Sequence, residues 1–240
     1  MSIRLLKHAF IENYAEPCWF NTPSKLKDTY DVVIIGAGGH GLACAHYLAQ
    51  DHGITNVAVL DASYLGGGNT GRNTTIIRSN YLTPEGVRFY DASIQLFKEL
   101  SSDLETNIFY SERGHYTLAH SSATLRTARW RAEVNKHLGI KSEVVGTDEI
   151  SRGCPELRID CGGSHAIEGA LFHAPGAVAR HDAVAWGYAK SASARGIEIH
   201  QHTPVIGLEK DSEGVSAVIT NKVSSKRVTY FLRLLDTPQP

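Results

Sequence analysis

The stretch that most restricts the fold is Tyr30–Asp61, YDVVIIGAGGHGLACAHYLAQDHGITNVAVLD. It opens on Val32-Val33-Ile34-Ile35, a continuous β-branched run of the kind that fills a strand buried on both faces. Gly36-Ala37-Gly38-Gly39-His40-Gly41 follows, then LACAHYLAQDHG, which reads as a helix closing near Gly53. Asn56–Leu60 is a second β-branched run, and Asp61 ends it. Strand, crossover helix and strand within about 30 residues make a parallel β-α-β unit.

The glycine spacing carries a specific chemistry. Gly36 permits a tight turn, Gly38 lets the backbone approach a pyrophosphate, and Gly41 lets helix and strand pack closely. A pyrophosphate there meets the free N–H groups and the positive dipole end of the helix. Asp61, at the tip of the second strand, is positioned to accept hydrogen bonds from a ribose diol, which argues against a 2′-phosphate and hence against NADP. NAD and FAD enzymes share all of this. The later run Gly66-Gly67-Gly68-Asn69-Thr70-Gly71-Arg72 separates them, because backbone without Cβ atoms can lie directly against a flat ring. That favours a permanently held flavin; an NAD-dependent dehydrogenase using only the β-α-β unit stays open as an alternative.

The rest of the chain alternates helical and strand patterns. Residues 1–29 read as a loosely patterned arm that Trp19 and Phe20 pin to the body. Residues 84–104 and 122–138 have helical periodicity, and 147–152 reads as a short helix capped by Thr147. Residues 108–111, 116–119 and 166–172 read as strands, followed by a helix at 181–194 and strands at 197–200, 205–208, 215–220 and 226–231. The expected fold class is α/β: a Rossmann-like FAD-binding β-α-β core, residues 30–82 and 181–222, interrupted by a smaller α+β region at 83–180 and followed by a divergent tail at 223–240.

Composition narrows the function classes. A formal net charge of −1 gives no general pull toward nucleic acid or an anionic membrane. The one basic cluster, Arg126–Arg131, has helical spacing and reads as a solvated face. No window approaches the ~20 apolar residues of a membrane span. The four cysteines form no CxxC pair, and no histidine cluster has metal-ligand spacing, so the expectation is a reduced, cytoplasmic protein without a metal.

Three segments together carry a family resemblance: DVVIIGAGGHGLACAHYLAQDHGITNVAVLD, GGGNTGRNTTIIRSNYL and ARHDAVAWGYA. They resemble the beta subunits of heterotetrameric sarcosine oxidases, within the wider class of flavoproteins similar to D-amino-acid oxidase and glycine oxidase. The resemblance implies flavin-dependent oxidation of sarcosine, or a similar secondary amine, to glycine, with formaldehyde or methylene-folate and hydrogen peroxide as products. It also implies alpha, gamma and delta partner subunits, a non-covalent FAD at the amine site, and an FMN tethered to a histidine.

Residue by residue, the resemblance implies that Gly36, Gly38, Gly39, His40 and Gly41 line the FAD pyrophosphate and that Asp61 takes the adenosine ribose. Asn69, Arg72, Thr74 and Ile76 lie along the cofactor, and Val205 meets the adenine edge through its backbone. The tethering histidine falls at His181, in Ala179-Arg180-His181-Asp182; His173 is not the candidate. Arg78 of the Ile76-Ile77-Arg78 motif is expected to fix the substrate carboxylate, with Tyr81 shaping the same pocket; a structural ion pair is the competing role for Arg78. The resemblance runs from about residue 28 to about residue 210, and such subunits are considerably longer than this chain. KVSSKRVTYFLRLLDTPQP is expected to be a tail in which the resemblance no longer holds. A C-terminally truncated, non-catalytic FAD-binding fragment is therefore the second expectation.

Overall fold

The computed structural model describes residue 20, residues 23–162, 166–212 and 214–221, and the backbone of 226–233. In chain order the elements begin with β1 (Thr29–Ile35), α1 (Gly39–His52), β2 (Val57–Leu60), β3 (Ile76–Ile77), α2 (Pro84–Asp103), β4 (Ser111–Glu112), β5 (His115–Ala119), α3 (Ser122–His137) and β6 (Ser142–Val145). They continue with α4 (Thr147–Gly153), β7 (Gly169–His173), β8 (Ala177–Val178), α5 (His181–Ala194), β9 (Glu198–His200), β10 (Val205–Asp211), β11 (Gly214–Thr220) and β12 (Lys226–Arg233). The chain divides into two compact units, Met1–Gly71 with Ala185–Pro240, and Arg72–Val184. Arg72, Thr74, Ile76, Arg78, Tyr81 and His181 therefore belong to the second unit.

The first unit holds a six-stranded sheet in the order β10-β11-β12-β1-β2-β9. β1 lies parallel to β2, with Val33 opposite Ala58 and Ile35 opposite Leu60, and β2 lies parallel to β9. Ile34, Leu42, Ala45, Val57, Ala58 and Val59 are fully buried, as expected of parallel strands covered by a helix. α1 ends where Gly53 turns left-handed at φ 66° and its N–H bonds the Leu48 carbonyl. His46 of α1 shares a 3.0 Å hydrogen bond with Ser191 in the α5 segment. At the start of β1, the Tyr30 hydroxyl donates to Glu198 Oε2 at 2.5 Å, and Lys27 and His200 reach the same carboxylate at 3.1 Å each. Phe20 is buried against Trp186, their ring centroids 5.4 Å apart; Trp19 lies outside the described residues.

The second unit is built on two three-stranded sheets, β3-β8-β4 and β5-β7-β6. In the latter, both outer strands run antiparallel to β7. One face packs Val145, Ile150, Ile167 and Ala170; the other packs Leu171 against Ala128 and Ala132 of α3. Ser121 caps α3 through a reciprocal pair of bonds with Thr124.

Several expectations need correction. Residues 108–110 are not a strand: Asn107 Oδ1 accepts the Phe109 N–H at 2.8 Å and Phe109 sits at φ 57°, a local turn that outcompetes the ladder. Ile108 instead plugs the core, fully buried. The cap of α4 is Gly146, not Thr147, and Glu149 reaches back to its N–H at 3.0 Å. β7 begins at Gly169, three residues later than read, and β6 was not anticipated because its four residues follow the Gly139 turn without alternation.

Candidate functional site

In the first unit, two glycine-rich loops meet. Gly36 adopts φ 107° and its N–H bonds the Leu60 carbonyl at 2.8 Å, which turns the chain sharply out of β1. A Cβ on Gly41 would lie 1.9 Å from the Gly36 carbonyl oxygen, so only glycine lets α1 start this close to the strand end. Gly66 N–H donates to the Ala37 carbonyl at 2.9 Å, and Gly39 N–H donates to Thr70 Oγ1 at 2.8 Å. A Cβ on Gly71 would approach the Gly66 carbonyl to 2.7 Å, so the second loop is also folded tightly on itself. Among the described residues, the N–H groups of Gly38, His40 and Gly41 have no protein acceptor. They are the open donors of a helix N-terminus whose cap residue, Gly38, contributes no side chain.

Asp61 closes one side of this cradle. Its Oδ2 accepts the Ala37 N–H at 2.7 Å, and its Oδ1 accepts the Ser63 N–H at 2.8 Å and hydroxyl at 3.1 Å. A carboxylate has about four acceptor positions, so one remains for a further donor. The Thr203 N–H bonds the Asp61 carbonyl at 2.7 Å, bringing the segment that leads into Val205 alongside. Val205 itself is partly buried against Tyr30, Val33, Ala58, Leu60 and Val218. Asn69 begins a short 3-10 turn, Asn69–Arg72, and is exposed.

The second unit gathers a different set. Arg72 and Thr74 are exposed, and Ile76 is 46% exposed although it is an aliphatic residue on a strand. Arg78 Nη1 donates to Asn80 Oδ1 at 3.0 Å, and its guanidinium lies 4.4 Å from the centre of the Tyr81 ring. Tyr81 in turn stacks on Tyr90, centroids 4.2 Å apart. No carboxylate is within ion-pair reach of Arg78 among the described residues, so the ion-pair role finds no partner there.

His173 is fully buried below this strap. Its Nε2 accepts the Ser79 N–H at 3.3 Å, which leaves Nδ1 to donate to the Lys141 carbonyl at 3.1 Å. Burial holds its pKa below the ordinary imidazole value; the Lys141 bond and Asp91 oppose, His115 and Arg78 reinforce. His181 is the first residue of α5, and its Nδ1 is buried without a partner. The neighbouring Asp182 carboxylate takes its hydrogen bonds from the Arg180 guanidinium (Nε at 3.0 Å) and the Ala183 N–H, and feels the charge of His181 without a hydrogen bond to it.

Compared with known families, residues 31–231 match the FAD dependent oxidoreductase family. The chain belongs to the FAD-dependent oxidoreductases. Among curated relatives it is 41% identical over 212 residues to sarcosine oxidase subunit beta of Arthrobacter sp, covering 88% of this chain and 52% of that one. It is 43% identical over 196 residues to the same subunit of Rhizobium meliloti, covering 82% and 47%. The chain thus spans about half the length of the curated relatives it matches. Among solved structures, L-proline dehydrogenase from P. horikoshii superposes with a TM-score of 0.77 at 22% identity, covering 87% of this chain and 53% of that one, which extends the likeness to the fold.

Membership in this family selects FAD over a nicotinamide cofactor. The cradle fits the flavin's dinucleotide on its own geometry: an N-terminus with open N–H donors, a cap without a side chain, and a glycine contact that a Cβ would fill. Among the described residues, no helix of this FAD-dependent oxidoreductase is long and apolar enough to cross a membrane.

Two features escaped the sequence. Thr70, not a glycine, links the two loops, and its only signal was its place inside Gly68-Asn69-Thr70-Gly71. Arg131 does not share the solvated face of Arg126 and Arg129: its Nε is buried. The signal was spacing, since Ala128, Ala132 and Asn135 form the inward row of α3 and Arg131 is three residues from Ala128.

Proposed function

We propose that this chain binds FAD non-covalently and serves the oxidation of a small secondary amine bearing a carboxylate, with sarcosine the preferred candidate. The observation that carries this reading is the meeting of the Gly36–Gly41 and Gly66–Gly71 loops through the Gly39–Thr70 and Gly66–Ala37 bonds. Similarity to two sarcosine oxidase beta subunits supports the choice of substrate.

In this reading Gly38, His40 and Gly41 donate their N–H groups to the pyrophosphate, and Asp61 offers its remaining acceptor position to the adenosine ribose. Asn69, Arg72, Thr74 and Ile76 flank the cofactor, and Val205 borders the adenine. When bound, FAD supplies a two-electron acceptor for the amine. Arg78 presents a planar two-pronged donor to the substrate carboxylate. Tyr81 and Asn80 fix the plane of that fork, by ring contact and by the Asn80 carbonyl oxygen. A second flavin, FMN, is assigned to His181, whose unpartnered Nδ1 leaves a nitrogen available for the 8α link. Being named beta subunits, the same relatives support a multi-subunit assembly; alpha, gamma and delta as the partners, and a cytoplasmic location, complete the proposal from the sequence reading alone.

The test is anaerobic bleaching of the bound flavin by sarcosine in the wild-type chain and in Arg78→Ala. The proposal expects bleaching, with the half-saturating sarcosine concentration raised at least tenfold in Arg78→Ala and FAD content unchanged. A chain that retains FAD but never bleaches supports the binding-only fragment instead. Equal loss of FAD and of sarcosine response in Arg78→Ala refutes the carboxylate role.

A further inference from the structure

The second unit brings two arginines together without an acid to neutralise them. Arg78 lies on the strap after β3 and Arg131 on α3, and the two elements are tied by Asn135. Its Nδ2 donates both to the Tyr81 carbonyl, at 2.9 Å, and to the Arg131 carbonyl, at 2.8 Å. His115 on β5, paired in register with His173, feels both guanidinium charges: burial first, then Arg78 and Arg131, hold its pKa below the ordinary value. Burial and the charge of Arg78 act in the same direction on Arg131. Among the described residues neither arginine has a carboxylate within ion-pair distance. Asp91, the acid that acts on this cluster, accepts instead from the Ser79 hydroxyl at 3.2 Å.

The same place collects buried polar atoms without partners. Of six such side-chain atoms among the described residues, four are Asn80 Nδ2, His115 Nδ1, Thr117 Oγ1 and Arg131 Nε. Asn80 is fully buried; its Oδ1 accepts from Arg78, and its NH2, buried beside the same guanidinium, is left without an acceptor. His115 and Thr117, two apart on β5, share one face of the strand. Burying like charges and unpaired donors is costly unless something neutralises them. The missing complement is an acceptor with negative charge, and a guanidinium fork matches a carboxylate in plane and spacing.

We infer that Arg78, Asn80, His115 and Arg131 form one two-arginine pocket that holds a carboxylate jointly. This deepens the reading of Arg78 given above and rests on it for the identity of the anion. It adds Arg131 as a binding residue, Asn80 and His115 as donors, and a requirement for two guanidinium groups rather than one.

The test follows the side-chain Nε–H resonances of Arg78 and Arg131 in 15N-labelled full chain during titration with sodium acetate, against sodium chloride at equal ionic strength. Both resonances are expected to move with one shared dissociation constant. Arg131→Gln should weaken the constant read at Arg78 at least tenfold, Arg131→Lys should fall between, and Arg126→Gln, an exposed arginine of the same helix, should change nothing. If Arg131→Gln fails to fold, the wild-type titration and Arg131→Lys still decide. An Arg78 response with Arg131 silent, or with a different constant, overturns the joint pocket and leaves the single-arginine reading standing. Silence at both overturns both.

Discussion

Replacing Gly41 by alanine probes the cradle where its geometry is tightest. The new Cβ would sit 1.9 Å from the Gly36 carbonyl oxygen and 3.4 Å from Ile34 Cγ2. An ordinary carbon–oxygen contact is about 3.3 Å, so α1 would have to retreat by about 1.4 Å. The obstacle is backbone, held by the 2.8 Å bond from Gly36 N–H to Leu60, and no rotamer change relieves it. Overpacking of this kind costs about 1–3 kcal/mol, and a rigid obstacle argues for about 3. For a domain of this size that lowers the melting temperature by roughly 6–12 °C. The retreat also shifts the Gly38, His40 and Gly41 donors from the place where the proposal seats the pyrophosphate. Losing one to two charge-assisted hydrogen bonds weakens FAD binding about a hundredfold. Thermal unfolding and a flavin-fluorescence titration read the two effects. Gly53→Ala is the control: its left-handed φ of 66° costs about 1 kcal/mol, but a Cβ there meets nothing within 4 Å, so FAD affinity should not change. A Gly41→Ala chain that melts within about 2 °C of wild type and binds FAD normally would refute the close-approach argument.

Other outcomes follow from particular groups. Burial pushes the Glu198 carboxyl up, but hydrogen bonds from Tyr30, His200 and Lys27 outweigh it and hold the pKa below the ordinary value. Its stabilisation is therefore present above the unfolded pKa of about 4.3 and is lost as pH falls through the folded value, and Glu198→Gln should flatten that acid limb in urea unfolding. His173, held low chiefly by burial, stabilises above about pH 6.5 and loses that contribution on acidification; His173→Gln should narrow the stability difference between pH 8 and pH 5. If His181 carries FMN, His181→Ala should abolish flavin colour that survives acid precipitation while leaving dissociable FAD in place, and persistent acid-stable colour would move the tether elsewhere.

The β-α-β unit was legible because each of its signals is local: a β-branched run, glycines at fixed offsets, and a helix ending at Gly53. The family resemblance was legible for the same reason. What the sequence hid was long-range. Nothing near Asp61 announces that two backbone amides, from Ala37 and Ser63, already occupy its carboxylate. Arg131 looked solvated beside Arg126 and Arg129 because a run of basic residues conceals a single inward position; only the packing of α3 on β7 separates them. Ile108 had the composition of a strand residue, but the Asn107 side chain turned the backbone first. In each case a tertiary contact, or a side chain competing for a backbone group, decided between readings that local pattern left equal.

The most direct test of the account is a crystal structure of the chain saturated with FAD. It should show pyrophosphate oxygens at about 3 Å from the N–H groups of Gly38, His40 or Gly41, with the Gly66–Gly71 loop against the same molecule. FAD bound elsewhere, or those three N–H groups facing only water in a flavin-saturated crystal, would contradict it.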